Sequence, residues 1–336
     1  MHVFLKGTMR EGIKKIAVIT SGGDAPGMNA ALRAVARACT YYKIDCIGYY
    51  RGYQGIIEGD STQLTARSVR NIISRGGTIL QSARSAEFRT VEGRRKAYEN
   101  LKKDQVDALV LIGGDGTFRG GVAFGKEYNM PFIGIPGTID NDISGTSATI
   151  GYDTALNTAV ECIDKIRDTA SSHNRLFFVE VMGRDAGFIA LNAGVGAGAE
   201  EILIPEENLG VDRLLQTLQK SKRSGKLSSI VVVSEGDKTG KNVFELAEHV
   251  TKILPEYEAR VSVLGHMQRG GSPSCFDRVL ASKLGVNAVE KLLDGKSHVM
   301  VGFINGKIVL TDIEEAIKHT NEINRELLRI SDILSV

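Results

Sequence analysis

Two carboxylates lie two residues apart in residues 136–142, which read Pro-Gly-Thr-Ile-Asp-Asn-Asp and form the most specific segment of this sequence. They follow an apolar run, so they stand just past the end of a predicted strand. If the segment is extended, the side chains of Asp140 and Asp142 point the same way. Two such carboxylates can divide their roles, one as a general base and one near a cation. The alternative is a solvated acidic turn in which the aspartates only cap backbone N–H groups.

A third carboxylate, Asp115, lies inside a glycine-rich turn at residues 113–117, Gly-Gly-Asp-Gly-Thr. Glycines after a strand let backbone N–H groups approach an anion closely, and the N-terminus of a following helix favours negative charge. Ser-Gly-Gly at residues 21–23 has the same layout. Because a carboxylate there would repel a bare phosphate, Asp115 favours a divalent cation such as Mg²⁺ between the two. The alternative is that Asp115 or Thr117 merely caps the next helix.

Basic side chains recur in the same kind of turn. Planar guanidinium groups suit phosphates, so several arginines at strand ends indicate an anionic substrate, although any one alone is typical of an ordinary surface. These arginines are Arg84, Arg175, Arg184, Arg260 and Arg269. Two further strand-end residues are Glu235, which could accept sugar hydroxyls, and His266, although a lone histidine is more often structural. The set predicts a phosphoryl-transfer site with Mg²⁺, a carboxylate base and arginines for a phosphorylated acceptor.

The elements that must position these turns alternate between strand and helix. Apolar runs read as buried strands at residues 14–20, 108–112, 132–135, 176–182, 230–233 and 261–264. Amphipathic stretches of helical length begin at about residue 29 and cover residues 155–167, 213–220, 244–253 and 277–293. This alternation predicts an α/β fold with largely parallel sheets covered by helices on both faces. In such sheets ligands bind outside the carboxyl ends of the strands, where the unusual turns lie.

The composition excludes several other classes of protein. The 336 residues carry 42% hydrophobic and 24% charged side chains and a net charge of +2, which is typical of a globular protein of about two domains. No basic run with interleaved aromatic residues points to a nucleic acid. No apolar run approaches the roughly 18 residues of a membrane span, and no signal peptide is recognisable, so we expect a cytoplasmic protein without a membrane partner. The four cysteines lack zinc-site spacing and are expected to be reduced.

Taken together, the motifs are similar to those of the 6-phosphofructokinase family of glycolysis. The matching segments run in family order from about residue 14 to residue 320 and are residues 20–33 (TSGGDAPGMNAALR), 75–84 (RGGTILQSAR), 112–117 (IGGDGT), 136–146 (PGTIDNDISGT), 150–156 (IGYDTAL), 166–175 (IRDTASSHNR), 179–187 (VEVMGRDAG) and 263–278 (VLGHMQRGGSPSCFDR). The resemblance implies two doubly wound, mostly parallel α/β domains with the active site in the cleft between them, and a homotetramer. It assigns ATP to residues 1–149 plus about 267–315. Fructose 6-phosphate is assigned to residues from about 150 to 266 plus 316–336.

The resemblance also implies a role for each site residue. Asp140 matches the general base that takes the proton of the sugar 1-hydroxyl, with Arg184 and Thr138 as further catalytic residues. Asp115 matches the ligand of Mg²⁺, with Asp142 as a second candidate. The residues matched to ATP are Gly23, Arg84, Gly114, Asp115, Gly116 and Thr117. The residues matched to fructose 6-phosphate are Thr138, Ile139, Asp140, Met182, Gly183, Arg184, Glu235, His266, Met267, Gln268 and Arg269, with Arg175 and Arg260 supplied by the adjacent subunit.

Two glycines bear on the choice of phosphoryl donor. Relatives that use pyrophosphate typically carry Asp after Gly-Gly-Asp and Lys before Thr-Ile-Asp, whereas this sequence has Gly116 and Gly137, as the ATP users do. A side chain at residue 116 would fill the space where the α-phosphate of the nucleotide passes. Ser85 departs from the ATP type, which often has an aromatic residue there near the adenine, so the contact with adenine is left open.

The match to the effector site of the family is partial. A subunit-interface pocket for ADP or phosphoenolpyruvate is matched by Arg33, Arg37, Arg167, Glu200 and Lys226. Ala66 and Leu227 stand where basic residues are expected. The resemblance therefore leaves regulation open.

Other functions also stay open at this point. A pyrophosphate-dependent phosphofructokinase would differ in its donor. Lipid and NAD kinases share Gly-Gly-Asp-Gly after a strand, but they are not expected to carry the Thr-Ile-Asp-Asn-Asp and Met-Gly-Arg turns. A non-catalytic sensor of nucleotides or sugar phosphates would keep the pocket, although the presence of Asp140 argues against it.

Overall fold

The computed structural model describes residues 12–173, 175–207, 210–225 and 228–335, which divide into two compact units. The first unit consists of the described residues up to Thr138, Ile143–Asp153 and Arg269–Asn321. The second consists of Ile139–Asp142, Thr154–Gln268 and the described residues from Glu322 onward. The assignment of ATP to one part of the chain and of the sugar phosphate to the other stays a prediction.

Strands and helices alternate along the chain, as the sequence predicts. The strands of the described residues are β1 (Lys15–Ser21), β2 (Asp45–Tyr49), β3 (Ser61–Gln63), β4 (Ala108–Gly113), β5 (Phe132–Thr138), β6 (Ile150–Gly151), β7 (Arg175–Val181), β8 (Glu201–Leu203), β9 (Ser229–Ser234), β10 (Glu258–Val263), β11 (Val299–Ile304) and β12 (Lys307–Asp312). The α-helices are α1 (Met28–Tyr41), α2 (Tyr53–Glu58), α3 (Val91–Lys103), α4 (Asp115–Tyr128), α5 (Tyr152–His173), α6 (Phe188–Gly196), α7 (Gly210–Arg223), α8 (Val243–Ile253), α9 (Cys275–Leu293), α10 (Ile313–Lys318) and α11 (Arg325–Leu334). Short 3₁₀ helices cover Glu87–Arg89 and Gly265–Arg269.

The first unit is built on a mixed sheet with the strand order β12-β11-β5-β4-β1-β2-β3, in which β6 also pairs with β5. The strands from β11 to β2 pair in parallel, and β12 and β3 add antiparallel edges. Every residue of β4 is buried. Strands of a parallel sheet are buried on both faces, which explains why β1 and β4 read as continuous apolar runs rather than alternating ones.

The second unit contains the sheet order β10-β7-β9-β8, in which all described pairs are parallel. Phe178 of β7 and Val231 of β9 pack in one core cluster with Leu214 of α7 and Leu246 of α8. The strand β10 lies at the edge of this sheet, and none of its residues is fully buried. The predicted α/β fold with mostly parallel sheets is therefore confirmed.

Local signals explain where individual helices begin and end. Asn242 caps α8 by accepting from the backbone of Phe244 and Glu245, and the Glu245 carboxylate accepts from the Asn242 N–H in return. The helix predicted from residue 155 to 167 is longer in the structure, where α5 spans Tyr152–His173. No helix in the described part of the chain is both long enough and apolar enough to span a membrane.

Candidate active site

The two glycine turns of the first unit are tied together by Thr117. The strands β1 and β4 are neighbours and end in register at Ser21 and Gly113. Thr117 Oγ1 donates a hydrogen bond of 3.0 Å to the Ser21 carbonyl oxygen. Gly113 is required beside this contact, since a Cβ there would lie 2.3 Å from Thr117 Oγ1. Thr117 is buried, so its hydroxyl holds the two turns side by side, and its contact with ATP stays a prediction.

Asp115 opens helix α4 directly after this tie. The N-cap of α4 is Gly114, so neither Asp115 nor Thr117 occupies the N-cap position itself. The Asp115 side chain is 42% exposed and lies 3.6 Å from the Arg119 guanidinium. A Cβ at Gly116 would meet nothing within 4 Å. The helix N-terminus thus offers N–H groups, open space and one carboxylate, an arrangement that suits a phosphate with a divalent cation.

Arg269 lies against the other glycine turn. A Cβ at Gly23 would lie 2.7 Å from Arg269 Nη1, and this nitrogen donates to the Asp24 carbonyl oxygen at 3.1 Å. At the turn of residues 113–117, a Cβ at Gly114 would lie 3.7 Å from Thr138 Cβ. The first unit therefore brings an arginine and a threonine, both predicted at the sugar phosphate, to the turns predicted at ATP.

The loop that carries Arg84 is held by a residue that the sequence analysis missed. Asn29 on α1 is 1% exposed, and its amide nitrogen donates to the carbonyl oxygens of Arg75 and Gly76, both at 3.1 Å. Its amide oxygen accepts from the Ile79 N–H at 2.8 Å. Arg84 itself is exposed. A polar residue within an apolar helix was the available signal, because a buried amide must find partners.

Ser85, where an aromatic residue is common in the ATP type, has a structural role. Its hydroxyl donates to Gln54 at 2.7 Å and accepts from the Phe88 N–H at 3.1 Å, so it fixes the 3₁₀ helix that follows. Phe88 is buried and stacks on Tyr53 with ring centroids 3.9 Å apart.

Asp140 and Asp142 are placed differently from one another. The strand β5 ends at Thr138, and Asn141 has a φ of 55°, in the left-handed region. The segment is therefore not extended, and the expectation that both carboxylates point the same way loses its basis. Asp140 is 3% exposed, which also contradicts a solvated turn, whereas Asp142 is half-buried. Unlike surroundings support unlike roles for the two groups.

In the second unit, the turns after β7 and β9 pack together. The Arg184 N–H donates to Glu235 Oε1 at 2.7 Å, and both residues are exposed. A Cβ at Gly236 would lie 2.0 Å from the Arg184 carbonyl oxygen, so only glycine permits this approach. Arg184 adopts a φ of 54° after Gly183 at 144°. Arg184 and Glu235, each predicted at the sugar phosphate, are thus brought together.

The Gly265–Arg269 helix divides its residues between interior and surface. Gln268 is fully buried; its amide donates to the Gly265 carbonyl oxygen at 3.0 Å and accepts from the Met182 N–H at 3.3 Å. His266 and Met267 are exposed. Gln268 therefore positions the backbone of the predicted sugar site, while the other two residues are accessible to a ligand.

Carboxylates dominate the electrostatics at this end of the second sheet. Burial, followed by the charges of Glu235 and Asp237, raises the pKa of Glu180. At the opposite end of this sheet, where β7 and β10 begin, Arg175 lies 3.1 Å from Glu258, and Arg260 pairs with the same carboxylate. These two arginines hold the pKa of Glu258 below its ordinary value.

The described effector candidates belong to both units: Arg33 and Arg37 to the first, and Arg167 and Glu200 to the second, where their side chains lie 3.9 Å apart. Arg33 and Arg37 lie on α1, where partial burial and then the charge of Arg37 lower the pKa of Arg33. Arg167 donates to the carbonyl oxygens of Ala197 and Gly198, at 2.8 and 2.7 Å, just past α6. Glu200 is buried and accepts from the Ile230 N–H. Lys226 and the neighbouring Leu227 lie outside the described residues, as do residues 1–11.

The chain is similar to known proteins along most of its length. The sequence profile of the family described as phosphofructokinase matches residues 15–292. The ATP-dependent 6-phosphofructokinase 1 of Thermus thermophilus is 55% identical over 327 residues, which cover 96% of this chain and 100% of the relative. The ATP-dependent 6-phosphofructokinase 2 of Bacteroides thetaiotaomicron is 50% identical over 324 residues, covering 96% and 99%.

Solved structures show the same architecture. The phosphofructokinase of Saccharomyces cerevisiae superposes with a TM-score of 0.85 at 38% identity; the match covers 91% of this chain and 45% of the longer yeast chain. A pyrophosphate-dependent phosphofructokinase of Marinobacter aquaeolei gives 0.84 at 20% identity, covering 94% and 86%, which supports the fold alone. The chain therefore belongs to the phosphofructokinase family.

Proposed function

We propose that this chain transfers the γ-phosphoryl group of ATP to the 1-hydroxyl of fructose 6-phosphate, giving fructose 1,6-bisphosphate and ADP. Relatives whose sequences are 50% and 55% identical to this chain, and which match it along nearly their whole length, carry the name of this kinase. The observation that carries the choice of donor is Gly116, which leaves open space at the start of α4. A nucleotide needs that space for its α-phosphate, whereas the pyrophosphate users fill the position with aspartate.

ATP is held by the glycine turns of the first unit. The backbone N–H groups at Gly23, Gly114 and Gly116 bind phosphate oxygens, and the positive end of the α4 dipole adds to their attraction. Thr117 supports this cradle through its bond to Ser21. Arg84, on the loop fixed by Asn29, contributes a guanidinium group to the same phosphates.

The residues present fit a magnesium ion. Asp115 offers a partly exposed carboxylate beside the open position of Gly116, and Mg²⁺ is commonly bound through one or two carboxylates together with substrate phosphates. Asp115 would hold the ion, with Asp142 as the second candidate. When bound, Mg²⁺ neutralises charge on the phosphates of the donor.

Asp140 acts as the general base. Its carboxylate takes the proton of the sugar 1-hydroxyl as that oxygen attacks the γ-phosphorus, and its burial keeps bulk water from competing for the proton. Arg184 stabilises the negative charge that spreads over the transferring group, and its backbone is fixed by Glu235. Thr138, at the end of β5, binds the acceptor beside Asp140.

Fructose 6-phosphate is bound by the turns of Met182, Gly183 and Glu235 and by the helix Gly265–Arg269. Glu235 and His266 are exposed and can accept and donate hydrogen bonds to sugar hydroxyls. Gln268 supports this surface from the interior. In a cytoplasmic homotetramer, Arg175 and Arg260 of the adjacent subunit grip the 6-phosphate.

The residues matched to the effector pocket include two arginines of α1. Two arginines on one face of α1 suit an anionic effector such as ADP or phosphoenolpyruvate. Arg167 and Glu200 already bond to backbone groups, which supports a role in shaping the pocket. Lys226 completes the proposed set.

A comparison of phosphoryl donors tests the function. The purified chain is assayed with fructose 6-phosphate and Mg²⁺, with ATP or pyrophosphate as donor, and fructose 1,6-bisphosphate is measured by a coupled assay. We expect turnover with ATP and at most a trace with pyrophosphate. Preference for pyrophosphate would assign the other donor class. Absence of turnover with either donor, in protein that binds both substrates, would favour a sensor.

A further inference from the structure

The open edge of the second sheet places one carboxylate between two arginines. Arg175 begins β7, and Glu258 lies opposite it at the start of β10. Arg260 follows Glu258 by two residues on the same strand, so both side chains leave one face of the sheet. Glu258 Oε2 lies 3.1 Å from Arg175 Nε, and Glu258 Oε1 pairs with Arg260 Nη2. Strand geometry thus directs both carboxylate oxygens to a guanidinium group.

This arrangement resembles an occupied anion site. A carboxylate and a phosphate present similar pairs of oxygens to guanidinium groups, so each can take the place of the other. The side chains of Arg175, Arg260 and Glu258 are 28%, 49% and 48% exposed, so an anion from solution can reach both arginines. The two arginines also hold the pKa of Glu258 below its ordinary value, which keeps the carboxylate charged at neutral pH.

We propose that Glu258 is an affinity-determining residue that competes with the 6-phosphate of the sugar for Arg175 and Arg260. The inference rests on the proposed function, which assigns these arginines to that phosphate. Binding of the substrate then requires the carboxylate to leave both guanidinium groups. Glu258 therefore weakens the affinity for fructose 6-phosphate, and it does so without touching the reacting hydroxyl.

The first test is Glu258→Gln, which keeps the shape of the side chain and removes its charge. An exposed ion pair of this kind corresponds to about 1.4- to 5-fold in an equilibrium constant. Loss of both pairs should therefore lower the Kd for fructose 6-phosphate by about 2- to 25-fold. The full-length protein is titrated calorimetrically with fructose 6-phosphate without ATP, and steady-state kinetics should show the change in KM for the sugar rather than in kcat or in KM for ATP. Glu258→Ala should shift the Kd in the same direction.

A neighbouring carboxylate supplies the matched control. Glu256 lies two residues earlier and pairs with Lys222 at 2.8 Å rather than with either arginine. Glu256→Gln should therefore leave the Kd for fructose 6-phosphate unchanged. In the Arg260→Ala background, Glu258→Gln should give a smaller gain than in the native chain, because one of its two pairs is already absent.

The outcomes separate this inference from the function on which it rests. If Arg260→Ala weakens sugar binding while Glu258→Gln leaves it unchanged or weakens it, the carboxylate organises the arginines instead, and the competition is refuted. If Arg260→Ala leaves sugar binding unchanged, the assignment of the arginines fails, and the inference fails with it. Tighter binding in Glu258→Gln alone, with Glu256→Gln at the native value, supports the competition.

Discussion

Replacing Gly116 with aspartate should remove the use of ATP while leaving the fold intact. A Cβ at this position meets nothing within 4 Å, so the substitution needs no rearrangement of the protein. Gly116 is the second residue of α4. Replacing a glycine inside a helix stabilises the folded chain by roughly 0.5–1 kcal/mol. A carboxylate in the first turn of a helix stabilises it by a further amount of about 0.3–1 kcal/mol. The variant should therefore unfold no more easily than the native chain.

The substitution should instead weaken the interaction with the nucleotide. Two unit negative charges about 5 Å apart at an effective dielectric constant of about 20 repel by roughly 3 kcal/mol. That energy corresponds to a loss on the order of 10²-fold in kcat/KM for ATP, before any steric clash is counted. We do not expect pyrophosphate use to appear in exchange. A Cβ at Gly137 would lie 3.2 Å from Ile112 and 3.3 Å from Met28, so a lysine there must displace packed neighbours.

A coupled kinase assay at varied ATP measures the effect, and thermal denaturation checks the fold. Gly116→Ala is the matched control, since it adds the Cβ without the charge and should lose much less activity than Gly116→Asp. An Asp variant that keeps kcat/KM for ATP within about 3-fold of the native value would refute both the position of the nucleotide and the assignment of the donor.

Four further variants, one of them a double change, test other residues. Asp140→Asn keeps the shape of the side chain but cannot take a proton, so kcat should fall by at least ~10²-fold with little change in KM; a variant with half of the native kcat would exclude Asp140 as the base. Arg260→Ala should raise KM for fructose 6-phosphate by about 10-fold or more, with KM for ATP unchanged. Hybrid oligomers formed from Asp140→Asn and Arg260→Ala subunits should exceed the summed activity of the two parents if each site draws the two residues from different chains. The double change Arg33→Ala with Arg37→Ala should leave kcat near the native value and remove any response to ADP or phosphoenolpyruvate; an unmodified chain without such a response would show that the match at this pocket is not functional. Burial and two neighbouring carboxylates raise the pKa of Glu180, so its ionisation opposes folding as the pH rises above its unfolded pKa of about 4.3. In urea unfolding, the free energy of unfolding of Glu180→Gln should therefore exceed that of the native chain by an amount that grows as the pH rises from about 4. The difference should level off above the pKa of Glu180 in the folded chain. A difference that shrinks with rising pH would contradict the environment described for Glu180.

The order of strands and helices, and the position of the turns rich in glycine and aspartate, could be predicted from the sequence alone. Buried strands such as β4 are continuous apolar runs, and the helices are amphipathic, so both follow from the spacing of residues within one element. The glycines and aspartates of the turns predicted to bind phosphate are equally local, because they lie within a few residues of each other. The family resemblance rests on the same short segments.

The group that each polar side chain contacts depends on the folded chain and could not be predicted from the sequence. Thr117 bonds to Ser21, 96 positions earlier, and Gln268 supports Met182, 86 positions earlier. Asp140 and Asp142 have the same side chain but differ in burial, because Asn141 turns the chain between them.

The arginines show the same division. Arg167 bonds to carbonyl oxygens beyond α6, whereas Arg175 and Arg260 share the carboxylate of Glu258. Sequence spacing reports the face of an element on which a residue lies. The partner of a hydrogen bond or an ion pair depends on which strands the fold makes neighbours, and that pairing is a property of the whole folded chain.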